Sequence, residues 1–252
     1  MASSEAILRK KRSIARTVLG ELKKSFGANL LAVGLIGSVA RGTAEKFSDV
    51  DLLIILQRLK TTAYTYKIVD DTHCSLNFET WKTAISKLRE PHPELPETLG
   101  GFTKILGVYD PDELLPRLED QARRIPSNVF RKSAELAMIY SFEDFCRAKN
   151  AFLKKDDIVL KDNISNVTHS AANAVAALNE TGFVSDREIF KAYKKFGKLH
   201  KNFATIRTLR YGNPPRPELF RTLIRFYVGL VDFCKQEGVD FPVEREVLEN
   251  LA

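Results

Sequence analysis

The sequence predicts an α+β fold, with a mixed α/β domain over residues 1–125 followed by an all-helical bundle over residues 126–252. Two patterns indicate this division. Up to Pro111, short apolar runs of strand length occur between helical patterns. Beyond Pro111, nearly all apolar residues recur at the spacing of a helix. A chain of 252 residues is long enough for one large domain or two ordinary ones.

The first domain is predicted to open with a helix over residues 5–26, which Gly27 ends. Two apolar runs, Leu30–Ile36 and Val50–Leu56, have the length of buried strands. After them we expect a hairpin of two strands (residues 64–69 and 73–78) and a helix (residues 80–88). A proline-rich loop (residues 90–101) and a last strand (residues 104–109) should follow.

The chain from Pro111 onward is predicted to be helical. The apolar spacing indicates helices over residues 112–123, 127–153, 161–180, 186–199, 200–210 and 216–236. Turn residues, among them Thr181-Gly182 and Gly212-Asn213-Pro214-Pro215, separate several of them.

Composition excludes several classes of protein. No apolar run approaches the roughly 18 residues of a membrane helix, and the first residues lack the layout of a signal peptide. The three cysteines are far apart, which argues against a disulfide framework or a zinc finger. We therefore expect a cytoplasmic protein. The net charge of +7 is a weak signal, and basic runs such as residues 9–12 are interpreted as solvated helix faces.

One segment between the first two predicted strands has the features of a phosphate and metal site. A strand ends at Gly37-Ser38, and ten residues later the next strand begins with Asp49-Val50-Asp51. Glycine allows close backbone approach to a phosphate, and serine adds a hydroxyl there. Asp49 and Asp51 are two residues apart on a strand, so their carboxylates point to the same side and repel. A divalent cation would neutralise them, and such oxygen ligands suit Mg²⁺ shared with substrate phosphates.

This layout resembles the nucleotidyltransferase superfamily with the polymerase-β-like fold. A more extended similarity, to the kanamycin (aminoglycoside 4′-O-) nucleotidyltransferases, runs over most of residues 10–200. It includes Leu76-Asn77-Phe78, residues 101–110 and the segment 142–150. The resemblance implies a mixed sheet followed by an up-and-down helical bundle. It also implies transfer of a nucleoside monophosphate from ATP or another nucleoside triphosphate to an acceptor hydroxyl, with release of pyrophosphate.

The resemblance assigns roles to individual residues. Asp49 and Asp51 would hold Mg²⁺, and Gly37, Ser38 and Arg41 would contact the nucleotide, although Arg41 has an alternative as an ordinary surface arginine. Glu143 matches the position of the general base. These positions are candidates for the catalytic, metal and nucleotide sites.

Two helix neighbours of Glu143 complete the candidates. Arg147 lies four residues on, on the same helical face, and could contact phosphate or hold the carboxylate. Glu143 and Arg147 could equally form an ordinary surface ion pair, and Asp144 is a competing base.

The sequence departs from the family at one position. A third carboxylate is usual beside the Asp-x-Asp pair, and its place falls at Ser75, which puts a second metal ion in doubt. Glu79 lies on the same face of the predicted strand and is a substitute, unless it begins the next helix.

The acceptor stays open. We expect a small hydroxylated molecule, as for an aminoglycoside, and the resemblance implies a homodimer. The alternatives are a non-catalytic nucleotide-binding module and an enzyme that modifies RNA or protein, with the basic surface as its footprint.

Overall fold

The computed structural model describes residues 3–185, 188–189 and 193–243. The chain divides into two compact units. The first comprises Met1–Arg89 and Thr98–Ile125, and the second comprises Glu90–Glu97 and Pro126–Ala252. The short segment Glu90–Glu97 therefore belongs with the helical part of the chain.

Helices and a five-stranded sheet follow one another in the first half of the chain. In chain order they are α1 (Ser4–Phe26), β1 (Leu30–Ile36), α2 (Gly37–Arg41), β2 (Val50–Leu56), β3 (Ala63–Val69), β4 (Thr72–Thr80), α3 (Trp81–Arg89), α4 (Leu95–Phe102), β5 (Leu106–Tyr109) and α5 (Leu114–Ala122). The predicted bounds of the strands β1 and β2 are confirmed.

The sheet is mixed, with strand order β3-β4-β2-β1-β5. Strand β1 pairs antiparallel with β2 and β5, β2 pairs parallel with β4, and β3 pairs antiparallel with β4. The central strands β1 and β2 are almost wholly buried, as expected from their largely apolar sequences, in which Asp51 of β2 is the one charged residue. This arrangement confirms the predicted α+β class and mixed sheet.

Helix α1 covers one face of this sheet. Its apolar stripe includes Ile14, Val18 and Leu22, which share a buried cluster with Leu52 and Ile54 of β2. The side chain of Ser3 caps the helix by accepting a hydrogen bond from the Ala6 amide at 3.2 Å. The opposite face of β2 carries Asp51, so this carboxylate does not lie under α1.

The segment 90–101 was predicted to be a loop, and this prediction is wrong in part. Helix α4 covers Leu95–Phe102. Pro96 lies in its first turn, where the backbone amides have no partner within the helix, so a proline costs little. Gly100 and Gly101 lie in its last turn, where they do not prevent the helix.

The second unit is helical, as predicted. Its described elements are α6 (Ser127–Leu153), α7 (Asp157–Leu178), a short 3₁₀ turn (Tyr193–Lys195), α8 (Thr205–Tyr211) and α9 (Arg216–Gln236). Stacked aromatic pairs join α6 to α9, with ring centroids 4.5 Å apart for Phe145 and Tyr227. Among the described residues, no helix is long and apolar enough to cross a membrane.

Two helix boundaries in this unit differ from prediction. Helix α7 starts four residues before the predicted 161, because the Asp156 side chain caps it by accepting from the Val159 amide at 3.0 Å. The helix predicted over 200–210 begins only at Thr205. The one predicted over 186–199 falls partly outside the described residues.

Candidate active site

The turn after β1 brings a glycine against a carboxylate. Gly37 begins α2 with a φ of +67°, a conformation that favours glycine. A Cβ atom at this position would lie 2.5 Å from Oδ2 of Asp51. The antiparallel register explains the approach, since Ile36 at the end of β1 is opposite Asp51 on β2. Only a residue without a side chain leaves room for this carboxylate.

The short helix α2 places the other residues of the turn. Gly42 ends the helix in the left-handed conformation, and its amide donates to the carbonyl oxygens of Ser38 and Val39. Thr43 also donates its amide to the Ser38 carbonyl oxygen, at 2.9 Å. Ser38 and Arg41 are both half-buried here, next to the Gly37–Asp51 contact.

The two aspartates lie close enough to influence each other. Asp51 is half-buried, whereas Asp49 is exposed directly before β2. Burial first, and then the negative charge of Asp49, raise the pKa of Asp51 to about 6. A hydrogen bond from Ser75 and the charges of His73 and Arg41 act in the opposite direction. The structure therefore brings Asp49, Asp51, Gly37 and Arg41 into one site.

Ser75 lies beside Asp51 on the neighbouring strand, which is where the third carboxylate of the family would be expected. The parallel register of β2 and β4 pairs Asp51 with Ser75 and Ile55 with Glu79. Glu79 is therefore about 13 Å further along the sheet. It is 2% exposed and accepts a hydrogen bond from Lys87. Glu79 does not substitute for the missing carboxylate.

The donor set fits one hard divalent cation. Among residues 3–185, 188–189 and 193–243, no group of three or more His, Cys, Asp or Glu side chains is arranged to hold a metal. Two carboxylates do converge at Asp49 and Asp51. Burial and then the charge of Asp49 raise the pKa of Asp51, and a bound cation would favour its charged form. Mg²⁺ suits such a site, because it commonly takes one or two protein carboxylates and completes its shell with water and phosphate.

Sequence reasoning missed a buried lysine beside this site. The basic run at residues 9–12 was interpreted as solvated, yet Lys11 is only 3% exposed. Its Nζ donates to the Ser48 carbonyl oxygen and to Thr72 Oγ1, the latter at 3.4 Å. Burial, with a smaller contribution from Lys10, lowers its pKa below the ordinary 10.5. The helical spacing of Lys11 with Ile14, Ala15 and Val18 is the signal that could have placed it inward.

The candidate base lies on α6, in the second unit. Oε1 of Glu143 accepts a hydrogen bond from Arg147 at 2.6 Å, as the four-residue spacing predicts. Arg147 also contacts Oδ1 of Asp144, at 3.3 Å. The side chains of Glu143 and Arg147 are 58% and 59% exposed. The structure thus brings these two predicted residues together, with Asp144 as a second partner of the arginine.

Part of the chain is similar to known proteins. Residues 15–114 match the sequence model of a nucleotidyltransferase domain. A relative from Methanocaldococcus jannaschii, named "Putative protein adenylyltransferase", is 44% identical over 54 residues, which are 21% of this chain and 37% of the relative. An "Aminoglycoside nucleotidyltransferase (4')" from Staphylococcus aureus is 20% identical over 117 residues, 46% of each chain.

A solved structure shares the fold. The nucleotidyltransferase-like protein from Exiguobacterium sibiricum superposes with a TM-score of 0.53 at 12% identity, over 90% of this chain and 75% of that one. The chain spans less than half the length of the two curated relatives it matches. The part of the chain that carries Gly37, Asp49 and Asp51 lies inside the segment that matches the model of a nucleotidyltransferase domain.

Proposed function

We propose that this protein transfers a nucleoside monophosphate from a nucleoside triphosphate, ATP first among them, to an acceptor hydroxyl, with Mg²⁺ as its cofactor. The observation that carries the proposal is the contact of Gly37 with Asp51, together with the neighbouring charge of Asp49. A glycine turn against two carboxylates can hold phosphates on one side and a cation on the other. The nucleotidyltransferase domain over residues 15–114 supports the same reaction class.

The reaction exchanges one phosphoester bond for another. The acceptor oxygen bonds to the α-phosphorus, the bond from that phosphorus to the α,β-bridging oxygen breaks, and pyrophosphate leaves with the electron pair. The acceptor proton passes to a base, for which we propose the Glu143 carboxylate. When bound at Asp49 and Asp51, Mg²⁺ supplies charge stabilisation to the phosphate oxygens during the in-line displacement.

The remaining proposed roles concern binding. Gly37 and Ser38 face the phosphates, and Arg41 donates to a phosphate oxygen, a role that its half-buried position near Asp51 supports. Arg147 holds the Glu143 carboxylate or reaches phosphate. We propose that the active form is a homodimer, because the resemblance implies one. Light scattering at micromolar concentration would then give twice the 28.5 kDa of one chain.

Two classes of molecule are candidates for the acceptor. A small hydroxylated molecule is favoured by the similarity to the aminoglycoside enzyme, which extends over 46% of this chain. A hydroxyl side chain of a protein is the second candidate, and the stronger local identity to the relative named as an adenylyltransferase favours it. A non-catalytic nucleotide-binding module is the remaining alternative, because Ser75 supplies no third carboxylate.

Labelled ATP tests the proposal directly. The purified protein is incubated with ATP labelled at the α-phosphate, Mg²⁺, and either a panel of hydroxylated small molecules or whole protein extract. Transfer of label should require Mg²⁺ and should be lost in Asp49→Asn and in Asp51→Asn. Asp71→Asn is the matched control, since this exposed residue lies in the β3–β4 turn. Full transfer in both site variants would exclude the proposed metal ligands, and nucleotide binding without any transfer would favour the non-catalytic module.

A further inference from the structure

The Ser75 hydroxyl, on the strand beside Asp51, has a hydrogen-bond partner of its own. Tyr64 on the edge strand β3 donates from its Oη to Ser75 Oγ, at 3.2 Å. Ser75 lies opposite Asp51 in the register of β2 and β4, and it is only 5% exposed. The three side chains lie on the same face of the sheet, with Ser75 directly opposite Asp51. Tyr64 reaches Ser75 diagonally, because the register pairs Tyr64 with Asn77 and Tyr66 with Ser75.

The hydrogen-bonding capacity of a hydroxyl determines which group donates and which accepts. A serine has one proton to donate and two lone pairs to accept with. Because Tyr64 fills an accepting position of Ser75, the serine proton is left for the carboxylate of Asp51. The Asp51 carboxylate thus has the Ser75 hydroxyl on the neighbouring strand and the backbone of Gly37 close to its Oδ2, where an added Cβ would lie at 2.5 Å.

We propose that Tyr64 and Ser75 are positioning residues, which orient the Asp51 carboxylate for a divalent cation from the place where a third carboxylate is usual. Neither hydroxyl supplies charge, and the proposed effect of both on the cation is exerted through the Asp51 carboxylate. Without the tyrosine, Ser75 is free to rotate, and the carboxylate loses a fixed partner. This inference rests on the proposed metal role of Asp51.

Metal binding in the absence of substrate is the test. The dissociation constant for Mn²⁺ is measured by electron paramagnetic resonance for the unmodified protein, Tyr64→Phe, Ser75→Ala and the double variant. Each single substitution should weaken Mn²⁺ binding about threefold to tenfold, the range of one hydrogen bond. Because Tyr64 acts through Ser75, the double variant should be no weaker than Ser75→Ala alone.

Tyr66→Phe is the matched control. Tyr66 lies two residues along the same strand and is 66% exposed, close to the 62% of Tyr64, but its ring stacks on His73. This variant should bind Mn²⁺ like the unmodified protein, and all variants should keep the unfolding temperature within a few degrees.

The outcomes separate this inference from the proposed function. Unchanged Mn²⁺ affinity in Tyr64→Phe, or additive losses in the double variant, would overturn the positioning role while leaving the metal site in place. Failure of the unmodified protein to bind Mn²⁺ would overturn both the metal site and the inference.

Discussion

Lys11 on helix α1 donates a hydrogen bond to the backbone carbonyl oxygen of Ser48, the residue directly before Asp49. The same ammonium contacts Thr72 at the start of β4. One buried cation therefore joins the first helix to the segment that presents an aspartate of the site and to the neighbouring strand.

Lys11→Met tests the importance of this contact. Methionine keeps much of the apolar stem but leaves the Ser48 carbonyl oxygen without its donor. The free energy of unfolding should fall by about 1–3 kcal/mol, the cost of a buried polar group left unpaired. Nucleotidyl transfer should fall as well, because the segment before Asp49 is less well held.

Lys10→Met is the control for Lys11→Met, since Lys10 is exposed on the same helix. Urea denaturation of both variants gives the comparison. Equal unfolding free energies for the two variants would show that water replaces the Lys11 contact at no cost.

Gly37→Ala should damage the site through sterics alone. The added Cβ would lie 2.5 Å from Oδ2 of Asp51, and the φ of +67° strains any other residue by about 1–2 kcal/mol. The carboxylate must then move. Misplacement of a reacting group by about 1 Å can cost roughly 10²-fold in rate, so we expect a loss of that order in transfer.

Gly20→Ala is the control for Gly37→Ala, and we expect it to stabilise the protein. A Cβ on Gly20 meets nothing within 4 Å, and this exposed position lies within α1. Alanine there should stabilise the protein by about 0.5–1 kcal/mol and leave transfer unchanged. Equal transfer rates for Gly37→Ala and Gly20→Ala would remove Gly37 from the site.

Local patterns were sufficient for the central strands and for the carboxylate pair. Largely apolar runs of strand length identified β1 and β2. The Gly-Ser and Asp-x-Asp spacing identified Gly37 and Asp51, which the structure places side by side. The order of the strands was not predicted, since apolar runs alone do not determine which strands pair.

Long-range contacts explain what the sequence did not predict. Lys11 is buried because it reaches Ser48, 37 residues away, and a run of four basic residues gives no sign of that partner. Tyr64 reaches Ser75 only through the register of β3 and β4. Such contacts depend on the assembled sheet rather than on local spacing.

His200 should make the helical unit sensitive to acid. It is 3% exposed and packs against Phe226 and Phe233, and within the described part of the chain neither ring nitrogen has a hydrogen-bond partner. Burial and the positive charge of Lys201 lower its pKa from 6.5 to about 4, while the negative charge of Asp232 acts in the opposite direction. Protonation of this ring therefore favours the unfolded chain.

The sign and size of this effect follow from linkage. The folded-state pKa of His200 is below the unfolded value, so its contribution to stability is present above pH 6.5 and is lost as the pH falls towards 4. The loss is on the order of 3 kcal/mol over that interval. His200→Leu should unfold with a shallower dependence on pH between 6.5 and 4, measured by urea denaturation. Parallel pH curves for the variant and the unmodified protein would contradict the prediction.

Glu143→Gln is the test of the proposed base. An acceptor hydroxyl is a poor nucleophile at neutral pH, and proton removal by a placed carboxylate contributes typically about 10²–10⁴-fold. Glutamine keeps the shape but cannot take the proton, so transfer should fall by about two orders of magnitude or more while ATP affinity barely changes. The lost ion pair with Arg147 is exposed and is worth only a few tenths of a kcal/mol, so the fold should be unaffected. Glu5→Gln, which breaks an exposed pair of the same four-residue spacing with Arg9 on α1, is the matched control. If Glu143→Gln retains turnover, the proton acceptor lies elsewhere, and Asp144→Asn becomes the next variant to measure.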